Sequence, residues 1–323
     1  MGCALALALV RRGVEVVLLE AEPDVGGGAS GTGAGVLRTG FDAVPGSLEA
    51  AMVRHAAALR PPLLEALGVP VLRCGALVRD PPPALLAAAR TSGVEHVVLD
   101  DGTLHVPGEG VTDPVAFVLA LAAAAERHGA QLRRGERFEH RGQVPADLYV
   151  NCAGRHADAV ARALGDDTVG IVARTVELLV VDAPVDHIHL TAVPGVLVAP
   201  TLDGHTVCRA AAADGGAGPA RREVLARARE LCPQLADASL VGTYVGVEPA
   251  GRDASYVVGR STRAPELVNV AALGATGLTA AVGLAEHVAG LIAPGAPVAA
   301  LRPGPAPPVD APWWRRATAR RPG

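Results

Sequence analysis

Residues near the start of the chain have types and spacings that suit dinucleotide binding. Gly2 lies just inside a short apolar helix, and Glu20 ends the apolar run Val14–Glu20 that follows it. This spacing matches the last glycine of a G-x-G-x-x-G turn and the acid that binds ribose hydroxyls. The small residues Gly26–Gly35 leave backbone N–H groups unshielded for an anionic diphosphate. The half-motif also fits an ordinary β-α-β unit, and the loop also fits a flexible connection.

The basic residues narrow the chemistry that the chain can perform. All 29 basic residues are arginine, and none of the 323 residues is lysine. The chain therefore has no lysine for a Schiff base, for a covalent nucleophile or for a P-loop. A net charge of −4 and an aromatic content of 2% argue against a nucleic-acid surface. Such surfaces are basic or stack bases on aromatic rings.

The cysteines and histidines predict neither a disulfide framework nor a metal site. His187 and His189 alternate on one strand without an evident third ligand. The cysteines form no C-x-x-C pair and are expected to be buried apolar residues, as in a reducing cytosol. We therefore expect a cytoplasmic protein, with peripheral membrane association left open. No apolar run reaches the ~20 residues that a transmembrane helix needs. The five cysteines are Cys3, Cys74, Cys152, Cys208 and Cys232.

The hydrophobic pattern alternates between strands and helices at both ends of the chain and favours an antiparallel sheet in the middle. This order predicts an α/β fold in which an inserted substrate domain interrupts a nucleotide-binding domain. Predicted strands are Val14–Glu20, Leu72–Val78, Val97–Leu99, Gln131–His140, Leu148–Asn151, Val176–Val181, Gly195–Ala199, Thr206–Ala210, Leu240–Val247 and Leu267–Ala271. Predicted helices include Gly2–Arg12, Pro45–Leu67, His156–Leu164, Ala220–Leu231 and ones that end at His128 and Leu291.

Five blocks of sequence, in a constant order, resemble a known family. On these blocks the chain resembles the D-amino-acid-oxidase-like flavoprotein oxidoreductases, and most closely the branch of glycerol-3-phosphate dehydrogenase and 2-hydroxyglutarate oxidase. The resemblance implies an FAD that lies extended across a Rossmann-like domain, with its isoalloxazine at the boundary to an antiparallel α+β domain. The blocks are Ala29–Ala50 (beginning ASGTGAG), Val106–Pro114 (VPGEGVTDP), Ala146–Gly165 (with NCAG), Gly195–His205 and Val245–Ile292 (with GATGLT).

The resemblance also implies the residues that hold the cofactor. They form four groups: the fingerprint glycine and ribose acid, the stretch from the pyrophosphate to the flavin ring, an adenine-side residue with the NCAG turn, and the final turn, whose helix N-terminus faces the flavin. In that order they are Gly2 and Glu20; Ala29, Ser30, Gly33, Ala34, Gly35 and Val36; Phe138, Ala153 and Gly154; Gly277, Leu278 and Thr279.

The same resemblance implies a division of the chain. The FAD-binding domain is expected in three discontinuous parts, 1–50, 113–168 and 251–292, the first without its opening strand. The substrate domain takes 51–112 and 169–250, and a Pro- and Arg-rich tail takes 293–323. We expect the tail to be mobile, although its Trp313-Trp314 pair could dock on the surface.

The N-terminal unit departs from the family pattern. The first strand and the first two fingerprint glycines are missing before Gly2. Completing the β-α-β unit would take roughly ten to fifteen further residues, so we expect an upstream extension that encodes them. The segment between Phe138 and Ala146 is also short, where the family usually has a small β-meander.

The substrate-binding residues depart as well. Arg38 stands where the family often has the histidine of H-x-G, and arginine cannot act as a base at neutral pH. Glu248 and Gly274 stand where two anion-binding arginines are expected. Arg38 or Arg252 could take over anion binding, or Glu248 could select an amine.

These observations predict an FAD-dependent oxidoreductase. It would transfer a hydride from a small hydroxyl- or amino-bearing substrate to flavin, with oxygen, a quinone or another molecule as the final acceptor. The candidate catalytic residues are Arg38, Glu248 and Arg252. One alternative is an amine or amino-acid oxidase of the same superfamily. The other is a degenerate flavoprotein relic without activity.

Overall fold

The computed structural model describes residues 1–191, 195–211, 221–253, 255–304 and 306–319. The helices are α1 Gly2–Val10, α2 Leu48–Ala66, α3 Pro83–Ser92, α4 Pro114–Arg127, α5 Ala157–Ala163, α6 Arg221–Leu231, α7 Gly277–Ile292 and α8 Trp313–Ala319. The strands are β1 Val17–Glu20, β2 Val36–Leu37, β3 Val71–Leu72, β4 Ala76–Arg79, β5 Val97–Val98, β6 Leu104–Val106, β7 Gly110–Thr112, β8 Gln131–Arg134, β9 Tyr149–Asn151, β10 Ile171–Val181, β11 Ile188–Thr191, β12 Val196–Pro200, β13 Thr206–Ala211, β14 Leu240–Gly251, β15 Val257–Arg260 and β16 Leu267–Ala271.

The parallel strands form two separate pieces. β1 pairs with β8 in parallel, and β9 pairs in parallel with β16, which carries β15 on its other edge. Among the described strands, β1 and β9 therefore each pair along one edge only. Helices α1, α4 and α7 contribute to one hydrophobic core that also contacts residues of both pieces, Leu18 and Leu132 in one and Val150 and Val268 in the other.

A buried polar network ties β9 to β16. Asn151 donates to the Asn269 side chain at 3.0 Å and to the Ala157 carbonyl at 2.8 Å. Asn269 in turn donates to Asp166 at 3.0 Å, and Asp166 accepts both the N–H and the hydroxyl of Thr168. Buried polar groups are costly unless they are hydrogen-bonded, so this network fixes the start of α5 relative to β9.

The second part of the molecule is an eight-stranded sheet in the order β14-β10-β13-β12-β11-β4-β6-β5. Its neighbours run antiparallel except β11 and β4, and β10 pairs with β14 from Ile171–Gly251 to Val181–Leu240 with one irregularity at Val180–Val181. One face carries Leu178 and Tyr244 and packs on Ala34 of the glycine-rich loop and on α8. The other face is covered by α6. The small sheet β2-β7-β3 is a fourth, separate sheet.

Several predicted boundaries are wrong in detail. The first strand begins at Val17 rather than Val14, because the turn after α1 extends the connection. The predicted strand Leu72–Val78 is two strands, β3 and β4, which belong to different sheets. β8 ends at Arg134, so Phe138 does not lie on it as predicted. Ala220, the predicted start of a helix, lies outside the described residues.

The C-terminal segment packs along the molecule. Ala299 and Arg11 exchange hydrogen bonds, and Arg302 donates to the His128 ring and to the Arg127 carbonyl. The segment then ends in α8, where Trp313 and Trp314 are buried. The expectation of a mobile tail is therefore wrong for its described residues, because apolar rings and paired backbone groups hold it down.

Gly274–Ile292, which contains α7, is long and apolar enough by length and composition to span a membrane, and half of it is buried inside the fold. Its apolar face packs on α1 and α2, where Ala280 and Leu284 are fully buried. A core helix passes the same test, so this segment is weak evidence of a membrane span.

Candidate functional site

The first glycine and the first acid come together at one end of the parallel strands. A methyl group on Gly2 would lie 3.1 Å from Leu18 Cδ1 and 3.7 Å from Cys152 Cβ, so α1 packs closely on β1 and on the end of β9. Glu20 ends β1 and accepts a hydrogen bond from the Glu22 N–H at 2.9 Å. The first turn of α1 has no side-chain cap, which leaves N–H groups available to an anion.

Two cysteines next to these residues stay protonated. Burial raises the pKa of the Cys152 thiol to about 11. Burial also raises the pKa of Cys3, with a smaller contribution from the nearby Glu20 charge. Glu20 ends the strand β1 on which Gly2 packs, and a ribose-binding acid is expected in that position.

The glycine-rich loop is a compact turn whose backbone contacts two other elements. It contains one turn of 3₁₀ helix, Ala29–Thr32. Gly35 has a φ of 71°, and a methyl group there would lie 2.2 Å from the Thr112 carbonyl oxygen. A methyl group on Gly246 of β14 would lie 2.8 Å from the Thr32 carbonyl oxygen. Glycine is therefore required where the loop meets β7 and β14.

Two residues predicted to lie beside the flavin ring, Val36 and Thr279, are in direct contact. The Thr279 hydroxyl donates to the Val36 carbonyl at 3.1 Å and lies 3.3 Å from the Arg38 N–H, which donates to it. Arg60 of α2 donates to the Thr279 carbonyl and to the Arg38 carbonyl, both at 2.6 Å. These bonds join β2, α2 and the first turn of α7 in one place.

Arg60 is a buried guanidinium bonded to carbonyls, and only 5% of its surface is exposed. Burial lowers the pKa of Arg60 to about 10, against the opposing charge of Glu109. The arginine remains charged at neutral pH, since that pKa is well above 7. Sequence reasoning missed Arg60, although it occupies a buried stripe of α2 with Met52, Ala56 and Leu64.

The turn before α7 is strained. Ala272 has a φ of 60°, a left-handed conformation that is uncommon for alanine, and Gly274 has a φ of 50°. A 3₁₀ turn, Gly274–Thr276, leads directly into Gly277 and Leu278, and α7 has no side-chain cap. Strained backbone of this kind concentrates at ligand sites. The positive end of a long helix is thus presented without a side-chain cap on its N–H groups.

The NCAG turn ends β9 and opens onto space. Ala153 donates its N–H to the Asn151 side chain at 3.2 Å. Gly154 has a φ of 57°, and no heavy atom lies within 4 Å of a methyl group placed there. The turn is therefore fixed by the bond to Asn151, and it leaves space next to Gly154 in which a cofactor could bind.

Arg38 lies within a group of carboxylates. It donates to Asp42 at 2.5 Å, and the charges of Asp42, Glu109, Glu248 and Glu49 raise its pKa although burial acts to lower it. Glu248 in turn bonds to Arg209 of β13. The guanidinium groups of Arg38 and Arg209 are therefore each paired with a carboxylate. An anion that bound to either guanidinium would compete with a carboxylate that is already there.

Glu109 is 1% exposed and accepts both the N–H and the hydroxyl of Thr39 at 2.6 Å through Oε1. Its Oε2 has no hydrogen-bond partner among the residues that the structure describes. Burial raises the pKa of Glu109, more strongly than Arg38 and Thr39 lower it. Sequence reasoning missed this residue, which lies within one of the resemblance blocks but stands alone in sequence.

A hydrogen-bonded chain crosses the same region. The Tyr256 hydroxyl and the Thr276 hydroxyl are 2.7 Å apart, and Thr276 donates to Glu49. Burial raises the pKa of Tyr256, so the phenol stays protonated. No short-range pattern pointed to Tyr256 or Glu49, because the contact joins residues distant in sequence.

Arg252 and Phe138 lie elsewhere than their predicted roles suggest. Arg252 follows β14, four residues beyond Glu248, which is about 13 Å along a strand. It is exposed and packs against Gly170 rather than beside Arg38. Phe138 packs on Tyr149, with ring centroids 6.0 Å apart, beyond the end of β8. The structure thus brings Arg38 and Glu248 together and leaves Arg252 apart.

A comparison with known families identifies the group to which this arrangement belongs. The family described as "DAO: FAD dependent oxidoreductase" matches residues 1–291. A relative named glycerol 3-phosphate dehydrogenase, from Caloramator mitchellensis, is 22% identical over 339 aligned residues that cover 89% of this chain and 71% of the relative.

Two further proteins show the same likeness. A D-amino acid dehydrogenase of Methylobacterium radiotolerans is 28% identical over 259 aligned residues, which cover 73% of this chain and 60% of that protein. The structure of an L-α-glycerophosphate oxidase from Mycoplasma pneumoniae, with FAD bound, superposes with a TM-score of 0.79. That superposition covers 94% of this chain and 96% of the oxidase at 18% identity, so it establishes the fold.

Proposed function

The chain belongs to the DAO family of FAD-dependent oxidoreductases, and from this premise we propose that it oxidises a small substrate at a carbon that bears an amino group. The substrate loses a hydride from that carbon and a proton from nitrogen, and an imine remains. The observation that carries the proposal is that two guanidinium groups at the site are paired with carboxylates, Arg38 with Asp42 and Arg209 with Glu248, while a third, Arg60, is bonded to backbone carbonyls.

The residues present fit an FAD along most of its length. Glu20 would bind the ribose, and the uncapped start of α1 with the loop from Ala29 to Val36 would bind the diphosphate. The open NCAG turn and the strained turn before α7 would lie along the cofactor toward its ring. When bound, FAD supplies the electron acceptor for the oxidation.

The chain's own residues determine which substrate fits. Asp42, Glu49, Glu109 and Glu248 surround Arg38, and low polarity strengthens charge interactions there. An ammonium group is attracted by these carboxylates, whereas a phosphate or second carboxylate must displace one of them from an arginine. The chain Tyr256–Thr276–Glu49 can hold a proton at the tyrosine oxygen and pass it toward Glu49.

Glu248 does not stand alone at the site. Arg209 pairs with Glu248, so the repulsion of an anion is weaker than an isolated carboxylate would cause. The preference that we propose comes instead from the carboxylates that already occupy Arg38 and Arg209.

A second candidate is oxidation of a hydroxyl-bearing anion such as glycerol 3-phosphate. The similarity to a glycerol 3-phosphate dehydrogenase favours it. Arg209 would then have to leave Glu248 and bind the anion.

We also propose that a further strand lies between β1 and β9 in the flavin-binding protein. Support comes from the edges of β1 and β9, which pair with no described strand, and from Gly2, which contacts residues of both. A strand of this kind would carry the turn that lets backbone N–H groups reach the diphosphate.

The test of the substrate class is anaerobic bleaching of the flavin-loaded protein. Amines, amino acids, glycerol 3-phosphate and 2-hydroxyglutarate are mixed with it in turn. Rapid bleaching by an amine or amino acid, and slow bleaching by both anions, supports the proposal. Rapid bleaching by glycerol 3-phosphate or 2-hydroxyglutarate, with slow bleaching by the amines and amino acids, would establish the second candidate instead.

Glu248→Gln and Glu248→Arg sharpen this test. The first releases Arg209 and the second adds a guanidinium, so both should raise the rate with the anions, by about tenfold for one charge-assisted contact. Glu95→Gln changes an exposed carboxylate distant in sequence from Glu248, and it serves as the control. Unchanged anion rates in both Glu248 variants would contradict the assigned role.

A further inference from the structure

Helix α8 lies beyond the residues that the family matches, which end at residue 291. Trp313 and Trp314 are nevertheless buried to 2% and 4% exposure, in the same apolar cluster as Ala34 of the glycine-rich loop and Leu178 and Tyr244 of the large sheet. A terminal helix of this length has little stability of its own, so packing must hold it in place.

One hydrogen bond joins α8 directly to the loop. The Trp313 indole N–H donates to the Gly33 carbonyl at 2.9 Å, and the Tyr244 hydroxyl donates to the same oxygen at 3.3 Å. The Gly33 carbonyl therefore has both of its acceptor positions occupied by large, buried, aromatic side chains. Gly33 follows the 3₁₀ turn Ala29–Thr32 and precedes Val36.

The neighbouring tryptophan makes a different contact. The Trp314 indole N–H donates to the Asp203 carboxylate, with its two oxygens at 3.2 and 3.4 Å. Its ring packs on His205, with centroids 4.9 Å apart. The Trp314 indole N–H thus anchors α8 to the turn between β12 and β13, whereas the Trp313 indole N–H bonds to the loop.

We infer that α8 is part of the cofactor site and that Trp313 is a positioning residue, which holds the Gly33 carbonyl so that the Ala29–Val36 backbone keeps its flavin-binding shape. This rests on the proposed function, since it assigns that loop to FAD. A loop that is already ordered before binding loses less conformational entropy when the ligand binds. Loss of the Trp313 bond should therefore weaken FAD binding without changing the contacts of FAD itself.

The two tryptophans make the test direct, because the chain contains no others. Intrinsic fluorescence therefore reports on α8 alone, and FAD absorbs in the range where tryptophan emits. Titration of FAD into the 323-residue chain, followed by quenching, gives the dissociation constant. Trp313→Phe keeps the ring and removes the N–H, and Trp314→Phe is the matched control.

We expect Trp313→Phe to raise the FAD dissociation constant about fivefold, as for the loss of one neutral hydrogen bond. Trp314→Phe should leave it within about twofold, although both variants lose one indole bond of the same helix. Equal dissociation constants in Trp313→Phe and the parent would overturn the inference.

Amide hydrogen exchange without FAD separates this inference from the proposed function. The amides of residues 29–36 should exchange about fivefold faster in Trp313→Phe than in the parent, and at the parent rate in Trp314→Phe. That exchange difference in a protein that binds no FAD, even when it carries the proposed upstream strand and turn, would overturn the proposed function and support the ordering of the loop by α8. Equal exchange in all three proteins would overturn the ordering itself.

Discussion

The two halves of the molecule differ in how complete their sheets are. The eight-stranded sheet is continuous, and β10 pairs with β14 from Ile171–Gly251 to Val181–Leu240 with one irregularity. The parallel strands instead form two pieces, β1 with β8 and β9 with β16, whose contact runs through the helices α1, α4 and α7. This difference indicates that the large sheet holds together by its own strand pairing, whereas the parallel strands depend on helix packing and, as we propose, on a further strand.

The largest expected effect comes from adding the proposed strand between β1 and β9. A chain extended before Met1 by an apolar strand and a G-x-G turn should bind FAD about a thousandfold more tightly than residues 1–323. Two charge-assisted N–H bonds to the diphosphate contribute about 2 kcal/mol each. Isothermal titration of both chains measures the difference. An extension with the same strand but without the glycines is the control, and equal affinities would exclude a strand between β1 and β9.

Removing the buried bonds of Arg60, which join α2 to β2 and α7, should destabilise the whole protein. Arg60→Met leaves the Thr279 and Arg38 carbonyls buried without their donor, which should lower the free energy of unfolding by about 2–3 kcal/mol. Urea denaturation measures this. The exposed Arg90 offers the control Arg90→Met, which should change stability by less than about 0.5 kcal/mol. Equal stabilities of the two variants would show that the Arg60 bonds do not stabilise the fold.

A change confined to the dinucleotide side should affect FAD alone. Glu20→Ala removes the acceptor for the ribose hydroxyls and should raise the FAD dissociation constant at least about tenfold in the extended protein. The melting temperature should stay the same, because the carboxylate bonds only to the Glu22 N–H. Glu22→Ala, on an exposed neighbour, should leave both quantities unchanged. An unaltered affinity in Glu20→Ala would refute the assignment of this acid.

The smallest expected effect concerns the pH dependence of stability. Burial raises the pKa of Glu109 above the usual 4.5, so the folded protein binds a proton more tightly than the unfolded one. The contribution of Glu109 to stability is therefore largest below about pH 4.5 and falls as the pH rises toward its raised pKa. Glu109→Gln should flatten this fall, because the amide has no proton to lose in this range. Chemical denaturation across that pH range measures it, with Glu95→Gln as the control, and an unchanged slope would show that Glu109 is not desolvated.

The sequence predicted those parts of the site that depend on local pattern. Glu20 at the end of β1, the loop up to Val36 and the first turn of α7 lie where the glycine and strand patterns predicted them. Their roles toward FAD remain predictions. The boundary errors arose where strands are short, since two- to four-residue strands such as β3 and β8 carry too little alternation to be located.

The missed residues have a common cause. The pairs Arg209–Glu248, Glu49–Thr276 and Trp313–Gly33 each join segments far apart in sequence. A pattern of short period cannot indicate such a pair, because the contact depends on how distant segments pack. Arg252 was proposed as a replacement for a missing anion-binding arginine, but it follows the extended strand β14, four residues beyond Glu248.

The central claim is that this chain holds an FAD between its two halves, and the most direct measurement is visible absorption after incubation with FAD and gel filtration. The account predicts that flavin absorbance elutes with the protein, weakly for residues 1–323 and at one flavin per chain for the extended protein. Its bands should be shifted from those of free FAD, since the ring leaves water. Flavin found only in the low-mass fractions for both chains would contradict the account and would favour a relic that has lost its cofactor.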